Sequence, residues 1–196
     1  MASISIVPTL ETISNNHSKF TNIELAIFNG ARKVGEAKLV LINYHAMRED
    51  GEYLDTVARR TSEDMHLSLS ALSKHSLFSY EILCDTQMMH CRVPIIVYLS
   101  RIYVYPEYRG KGYGKAFIKM LPDIIQRITL SFPIAIAVYI SPQAKTVTHN
   151  GLVADIPKKE LRAMQSQMEG MFEKSGYIKP SKALSHKKCM VWTEGS

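Results

Sequence analysis

Ile102-Tyr103-Val104-Tyr105-Pro106-Glu107-Tyr108-Arg109-Gly110-Lys111-Gly112-Tyr113-Gly114-Lys115-Ala116 changes character twice within a short span. It ends a run of β-branched and aromatic residues, passes through a glycine-rich bend and enters a helical pattern. The run, Arg92 to Tyr105 (R-V-P-I-I-V-Y-L-S-R-I-Y-V-Y), has the composition of a central strand. Pro94 near its start puts the first residues at an edge or a bulge. After the bend, Phe117, Leu121, Ile124 and Ile128 recur at helical spacing over roughly 16 residues, with Pro122 as a site for a kink.

A strand–bend–helix of this kind has a chemical consequence. The first amides of a helix have no internal partner, and the helix dipole adds positive potential there. Glycine lets the backbone adopt positive φ and come close to a ligand. Arg109, Lys111 and Lys115 add cations, so the bend suits a pyrophosphate. The bare pattern of Arg, two residues, Gly, one residue, Gly would arise by chance in roughly one in five chains of this length, so the flanking strand and helix carry the weight. A Walker loop is excluded because Gly110 lacks the G-x-x-x-x-G-K-[ST] continuation. The spacing G-x-G-x-G of Gly110, Gly112 and Gly114 is not a dinucleotide fingerprint either.

Working outward, Ile23 to Phe28 reads as a strand, Asn29-Gly30 as a turn, and Glu36 to Tyr44 as the returning strand of a hairpin. Arg48-Glu49-Asp50-Gly51 is a polar turn. Glu52 to His75 is helical in two pieces, the second opened by a capping box in which the Thr61 hydroxyl accepts from backbone amides and Asp64 reaches back. Met65, Leu69 and Leu72 share its buried face. Phe78 to Leu83 is a short strand, and Pro133 to Ile140 is continuously apolar, as a strand buried on both faces is. Ser141 to Ile156 is a loop, and Pro157 is the first residue of a helix that carries Leu161, Met164, Met168 and Met171 on one side. That methionine stripe reads as core filling. Ser175-Gly176 ends the helix, and Tyr177-Ile178 and Cys189 to Thr193 supply two last short strands. The order β-β-α-β-β-α-β-α-β-β defines a mixed α/β domain around one sheet.

The 196 residues fit a single domain, 1–196, large enough to bury about 70% of its unfolded surface. A hydrophobic share of 46% without low-complexity tracts excludes a disordered chain. The net charge of +6, from 24 basic and 18 acidic side chains, favours anionic partners, although it also suffices for solubility. The basic residues are scattered, which argues against nucleic acid. Cys84, Cys91 and Cys189 form no C-x-x-C unit, and His90 beside Cys91 lacks further ligands at metal spacing, so no metal site is expected. A reduced, cytoplasmic setting fits these thiols. Met1 to Phe20 has no secretory pattern, and no apolar run reaches the ~20 residues needed to span a bilayer. A homodimer is left open.

The stretch Ile102 to Ala116 resembles the acetyl-CoA signature of the GNAT superfamily of N-acetyltransferases, in which a strand ending in V-x-P precedes an R-x-x-G-x-G/A loop. Phe172-Glu173-Lys174-Ser175-Gly176-Tyr177 is similar to that family's later Y-x-x-x-G-F motif, and the likeness of layout covers roughly Ile23 to Thr193. The resemblance implies a mostly antiparallel sheet flanked by helices and splayed at the acyl-CoA site, between Ile96–Val104 and Pro133–Ile140. It implies acetyl-CoA as co-substrate and an amine acceptor, a small molecule or a protein. Backbone amides from Arg109 through Gly110, Lys111, Gly112 and Tyr113 to Gly114 would hold the pyrophosphate, with Lys115 beside them. Backbone groups of Ile102 and Val104, flanking Tyr103, would pair with the pantetheine arm, and one of their N–H groups would polarise the thioester oxygen.

An amine with a pKa of about 10.4 arrives protonated and needs a proton acceptor. Pro94 to Val104, where the family often carries a Glu, contains no carboxylate. Glu81, Asp85 and His90 are the nearest candidates, and Glu107 lies in the loop. The family's tyrosine, which protonates the departing thiolate, aligns with Phe172, which cannot donate a proton; Tyr139 is a substitute. The candidate catalytic residues are therefore Tyr139, Glu81 and His90. A catalytically inactive module that binds acyl-CoA or a partner protein is the competing expectation.

Overall fold

A computed structural model describes residues 4–9, 19–73, 95–130, 133–142, 145–147, 153–179 and 188–193. Strand β1 (Ile4–Thr9) is followed by β2 (Phe20–Asn29) and β3 (Arg32–Asn43), then by three helices, α1 (Tyr44–Glu49), α2 (Leu54–Thr61) and α3 (Glu63–Ser73). Strand β4 (Ile95–Val104) leads through a single 3₁₀ turn, Pro106–Tyr108, into α4 (Tyr113–Thr129) and β5 (Pro133–Tyr139). A two-stranded ribbon of β6 (Lys145–Val147) and β7 (Val153–Asp155) precedes α5 (Lys158–Glu173), and β8 (Cys189–Thr193) closes the set. Among the described residues no helix is long and apolar enough to cross a membrane.

Six strands form one sheet in the order β1-β2-β3-β4-β5-β8. Only the β4–β5 pair is parallel; the other neighbours are antiparallel. This is the mixed α/β class expected from the residue pattern, with the mostly antiparallel sheet that the resemblance implied. A parallel pair needs a crossover, which α4 supplies. Ile95 to Leu99 are buried on both faces because helices cover the sheet on both sides. Ile95, Val97 and Leu99 join a core with Phe117, Leu121 and Phe172 of α4 and α5. Ile96 and Tyr98 point the other way, into a core with Met65, Leu69 and Leu72 of α3. Each such aliphatic or aromatic side chain contributes about 1.5–3 kcal/mol on full burial, which fixes the two helical layers against the sheet.

Several boundaries differ from the sequence reading. Ile4–Thr9 is a strand the reading lacked. Tyr44 opens a helix instead of ending a strand, because the Asn43 carboxamide oxygen accepts from the Ala46 N–H at 3.1 Å and caps it. That helix absorbs Arg48 and Glu49 of the expected turn, leaving Asp50 and Gly51, with Gly51 at φ +70°. The cap of α3 is Ser62, not Thr61: Ser62 is extended and its hydroxyl accepts from the Met65 N–H at 3.1 Å. Thr61 ends α2 and donates back to the Val57 carbonyl. The 141–156 loop contains the β6–β7 ribbon, Pro157 precedes the first helical residue as a cap, and Tyr177-Ile178 contributes only a bridge, Ile178 to Val191. Pro122 sits buried inside α4, which runs through it without interruption. The expected strand Phe78–Leu83 and the residues Pro94, Cys84 and Cys91 lie outside the described residues; Cys189 is a free, buried thiol.

Candidate functional site: a cleft between two diverging strands

The β4–β5 ladder runs from Ile95 opposite Pro133 to Leu99 opposite Val138 and stops there. A bulge gives the reason. Against β3, Arg101 faces Lys38 and Leu99 faces Leu39, so Ser100 is an extra residue without an opposite number. Its hydroxyl donates to the Lys38 carbonyl at 3.0 Å. Bulges bend and twist the strand that carries them. Beyond Ser100, β4 stays with β3 while β5 stays with β8, where Tyr139 faces Cys189. The expected splay is present.

Strand register also fixes where the backbone of β4 points. Val104 lies opposite Gly35, and the Tyr105 N–H donates to the Val34 carbonyl at 3.0 Å. In an antiparallel ladder that bond brackets a wide pair, whose own N–H and C=O turn away from the partner strand. Val104 therefore turns its backbone groups toward the gap, as does Ile102, opposite Ala37 and two residues earlier. Tyr103 between them spends its groups on β3.

The gap opens into a cleft of about 850 Å³, within the range of small-molecule sites. Leu99, Ile102 and Val104 form one wall and Val138 and Tyr139 the other. Met164, Met168, Met171 and Phe172 of α5 close it on one side. The methionine stripe, read as core filling, is half-buried: Met168 and Met171 pack on the core and also line the cleft. The charged lining residues are Arg101, Arg109, Lys115 and Lys174, all cationic, and among the described residues no Asp, Glu or His lines the cleft.

One end of the cleft is the glycine bend. Gly110 has φ +75° and Gly112 φ +85°, a region L side chains rarely occupy, and a Cβ at either would meet open space. Arg109 to Gly112 are exposed and Tyr113 is buried. Tyr108 and Arg109 spend their amides on Tyr105 and Pro106, and Ala116 bonds to the Gly112 carbonyl. Among the described residues nothing accepts from the N–H groups of Gly110, Lys111, Gly112, Tyr113, Gly114 or Lys115. Helices α2, α3 and α5 each carry a carboxylate in the first turn, Asp55, Glu63 with Asp64, and Glu160. Helix α4 has none, and Gly112 offers no side-chain cap, so its positive end is uncompensated. A Cβ added at Gly114 would come to ordinary contact distance of Met171 and Val104.

The side chains of the bend fold inward on the protein. The Arg109 Nε donates to the Val104 carbonyl at 3.0 Å, with the guanidinium 5.4 Å from the Tyr103 ring centre. The Lys111 ammonium donates to the Glu107 carbonyl at 3.0 Å and lies over Tyr108. Lys115 faces the cleft.

Of the candidate catalytic residues, Tyr139 stands on the cleft wall just past the last β4–β5 pair. Burial pushes its phenol above the usual range, with Asp64, Cys189 and Glu63 adding to the effect. The Lys188 ammonium lies 5.8 Å from its ring centre. Glu81, Asp85 and His90 lie outside the described residues. Glu107 is exposed in the 3₁₀ turn. Phe172 is fully buried and meets Tyr177 edge-on at 5.0 Å, so the position holds an apolar wall. Among the described residues no group of three or more His, Cys, Asp or Glu could hold a metal ion. Arg101 and Lys174 were missed by the sequence reading; only their place beside the cleft marks them.

No family model matches the chain, and no curated protein matches it. Among solved structures, the chain is similar to an apo-form mutant of agmatine N-acetyltransferase at 12% identity and a TM-score of 0.38, over 87% of this chain and 76% of that one. It is equally similar to the Drosophila melanogaster polyamine N-acetyltransferase that forms N-acetylagmatine, at 12% identity and a TM-score of 0.38, over 87% of this chain and 74% of that one. At those values the similarity assigns neither family nor substrate.

Proposed function

We propose that this chain is a GNAT-type N-acetyltransferase that moves an acetyl group from acetyl-CoA directly to an amine. The observation that supports it is the free edge of β4, with Ile102 and Val104 turned into a cleft that ends on the unpaired amides of 110–115. Diphosphate on those amides, beside an uncompensated helix end and Lys115, places an attached arm along β4. Its amide groups complete the ladder that β5 leaves unfinished. A backbone N–H of Ile102 or Val104 then serves as the donor to the thioester oxygen as negative charge develops there. The acceptor enters from the open side of the cleft, and holding both reactants in one cleft supplies much of the rate.

Proton movements fall to few groups. Tyr139 stands on the cleft wall and can give its proton to the departing thiolate, burial making its phenol a weaker acid than usual. With no carboxylate or imidazole among the described lining residues, the amine loses its proton to solvent, to Glu81 or to His90.

A second reading, a module that holds acyl-CoA or a partner protein without turnover, is favoured by the buried Phe172 and the acid-free cleft wall. Free thiol release from acetyl-CoA, followed with a mixed panel of primary amines, separates the two. Amine-dependent release supports the transferase. Saturable binding of acetyl-CoA with no release above the amine-free rate supports the module, and no binding at all removes the transferase and leaves only a module for a partner protein.

A further inference from the structure

Resting on the cofactor site just described, we infer that Asn29 is a positioning residue for the phosphate-binding bend, acting through the Tyr113 hydroxyl. Side chains tie the bend at Arg109 and Lys111, but its glycine backbone has no packing of its own. Arg109 to Gly112 are exposed, and a Cβ added at Gly110 or Gly112 would meet nothing within 4 Å. The first residue fixed in the core is Tyr113, only 6% exposed, whose own N–H belongs to the unpaired set. Its ring meets Tyr108 edge-on at 6.3 Å, bracketing the bend from both sides. Its hydroxyl receives a hydrogen bond from the Asn29 carboxamide at 2.8 Å, across 84 positions of sequence.

Asn29 is well placed to act as an anchor. It is the last residue of β2, paired with Ile4 on β1 and with Arg32 on β3, and Gly30 at φ +60° turns the hairpin directly after it. It lies outside the cleft lining, so it touches no reactant. The bond therefore ties the start of α4 to the β2–β3 hairpin. Without it, Tyr113 keeps its burial but loses the contact that sets its height and rotation, and the amides of 110–115 converge less well on one diphosphate.

The test is a double-mutant cycle on acetyl-CoA binding by Asn29→Ala, Tyr113→Phe and the double variant of the full chain, read by calorimetric titration and by steady-state kinetics. Each single variant is expected to weaken acetyl-CoA binding by about threefold to tenfold, the range of one net hydrogen bond. In Asn29→Ala the KM for acetyl-CoA rises with it, while kcat and the KM for the amine stay at their wild-type values. The double variant should be no weaker than either single one. Should Asn29→Ala fail to fold, the loss of acetyl-CoA affinity in Tyr113→Phe carries the test. Unchanged affinity in the single variants, or losses that multiply in the double, overturn the positioning role while leaving the cofactor site intact. A wild-type chain that binds no acetyl-CoA removes the site, and this role with it.

Discussion

Arg109 of the bend holds the carbonyl oxygen of Val104, Nε to O, at 3.0 Å. That oxygen is one of the β4 groups that turn away from β3 into the cleft, so the bend's own cation occupies an acceptor that an added strand requires. A diphosphate offers the guanidinium a bidentate, fully charged partner in exchange. Arg109→Ala both frees the carbonyl and removes the cation. We expect acetyl-CoA to associate faster with this variant and to dissociate faster still, for a net weakening of about fivefold to tenfold. Stopped-flow binding measures both rates; tighter net binding would show that the side chain only obstructs.

Gly112 combines φ +85° with open space around its missing side chain. Gly112→Ala should cost about 1–2 kcal/mol of stability through backbone strain alone. Gly112→Asp adds a negative charge beside the diphosphate, and should weaken acetyl-CoA binding by about 100-fold or more. Chemical denaturation and calorimetric titration separate the two effects. Equal affinity of the Asp and Ala variants would place the phosphates elsewhere.

Gly35 is a different case, because a Cβ there would overlap the Tyr103 carbonyl oxygen. Tyr103 sits between the two residues whose backbone faces the cleft. Gly35→Ala should therefore destabilise the fold by about 1–3 kcal/mol, the usual cost of overpacking, and weaken acetyl-CoA binding although the residue is not in the cleft. Urea unfolding with a parallel titration checks it, and a fully stable variant would mean that β3 and β4 separate freely at this end.

Cys189 is fully buried at the start of β8, and burial pushes its thiol up from 9.0 to about 11, with the nearby Ser68 lowering it and Asp64 raising it further. Folding thus favours the protonated thiol. This contribution is whole below pH 9 and is lost as pH rises through the folded value, the loss reaching about 2 kcal/mol by pH 11. Tyr98, raised by its own burial, adds to the loss at higher pH. The wild-type melting temperature should fall above pH 9 more steeply than that of Cys189→Ala; parallel curves would refute the assignment.

The parts legible in the sequence were those written in local chemistry. Glycines at 110, 112 and 114 after a β-branched run mark the bend without any tertiary information, and the apolar run from Pro133 marks a strand buried on both faces. Ile4–Thr9 was not legible because it is an edge strand with Pro8 inside it, paired with β2 alone. The boundary at Tyr44 was missed because apolar residues continue across it; the Asn43 cap was the available signal. Asn29 read as a turn residue, and its bond to Tyr113 depends on two segments that only the folded sheet brings together. The methionines of α5 have the spacing of a core face, and nothing local reveals that part of that face borders a cleft. Glu81 and His90 lie outside the described residues, so the proton acceptor stands as a sequence expectation.

The most direct measurement is a backbone amide NMR titration of the ¹⁵N-labelled chain with acetyl-CoA. The largest shifts should fall on Gly110 to Lys115 and on Ile102 and Val104, the unpaired amides of the bend and the free edge of β4. Adding a 3′-phosphoadenosine diphosphate fragment without the pantetheine arm should move the first group and leave the second in place. Saturating acetyl-CoA that leaves the 110–115 amides unmoved would contradict the account.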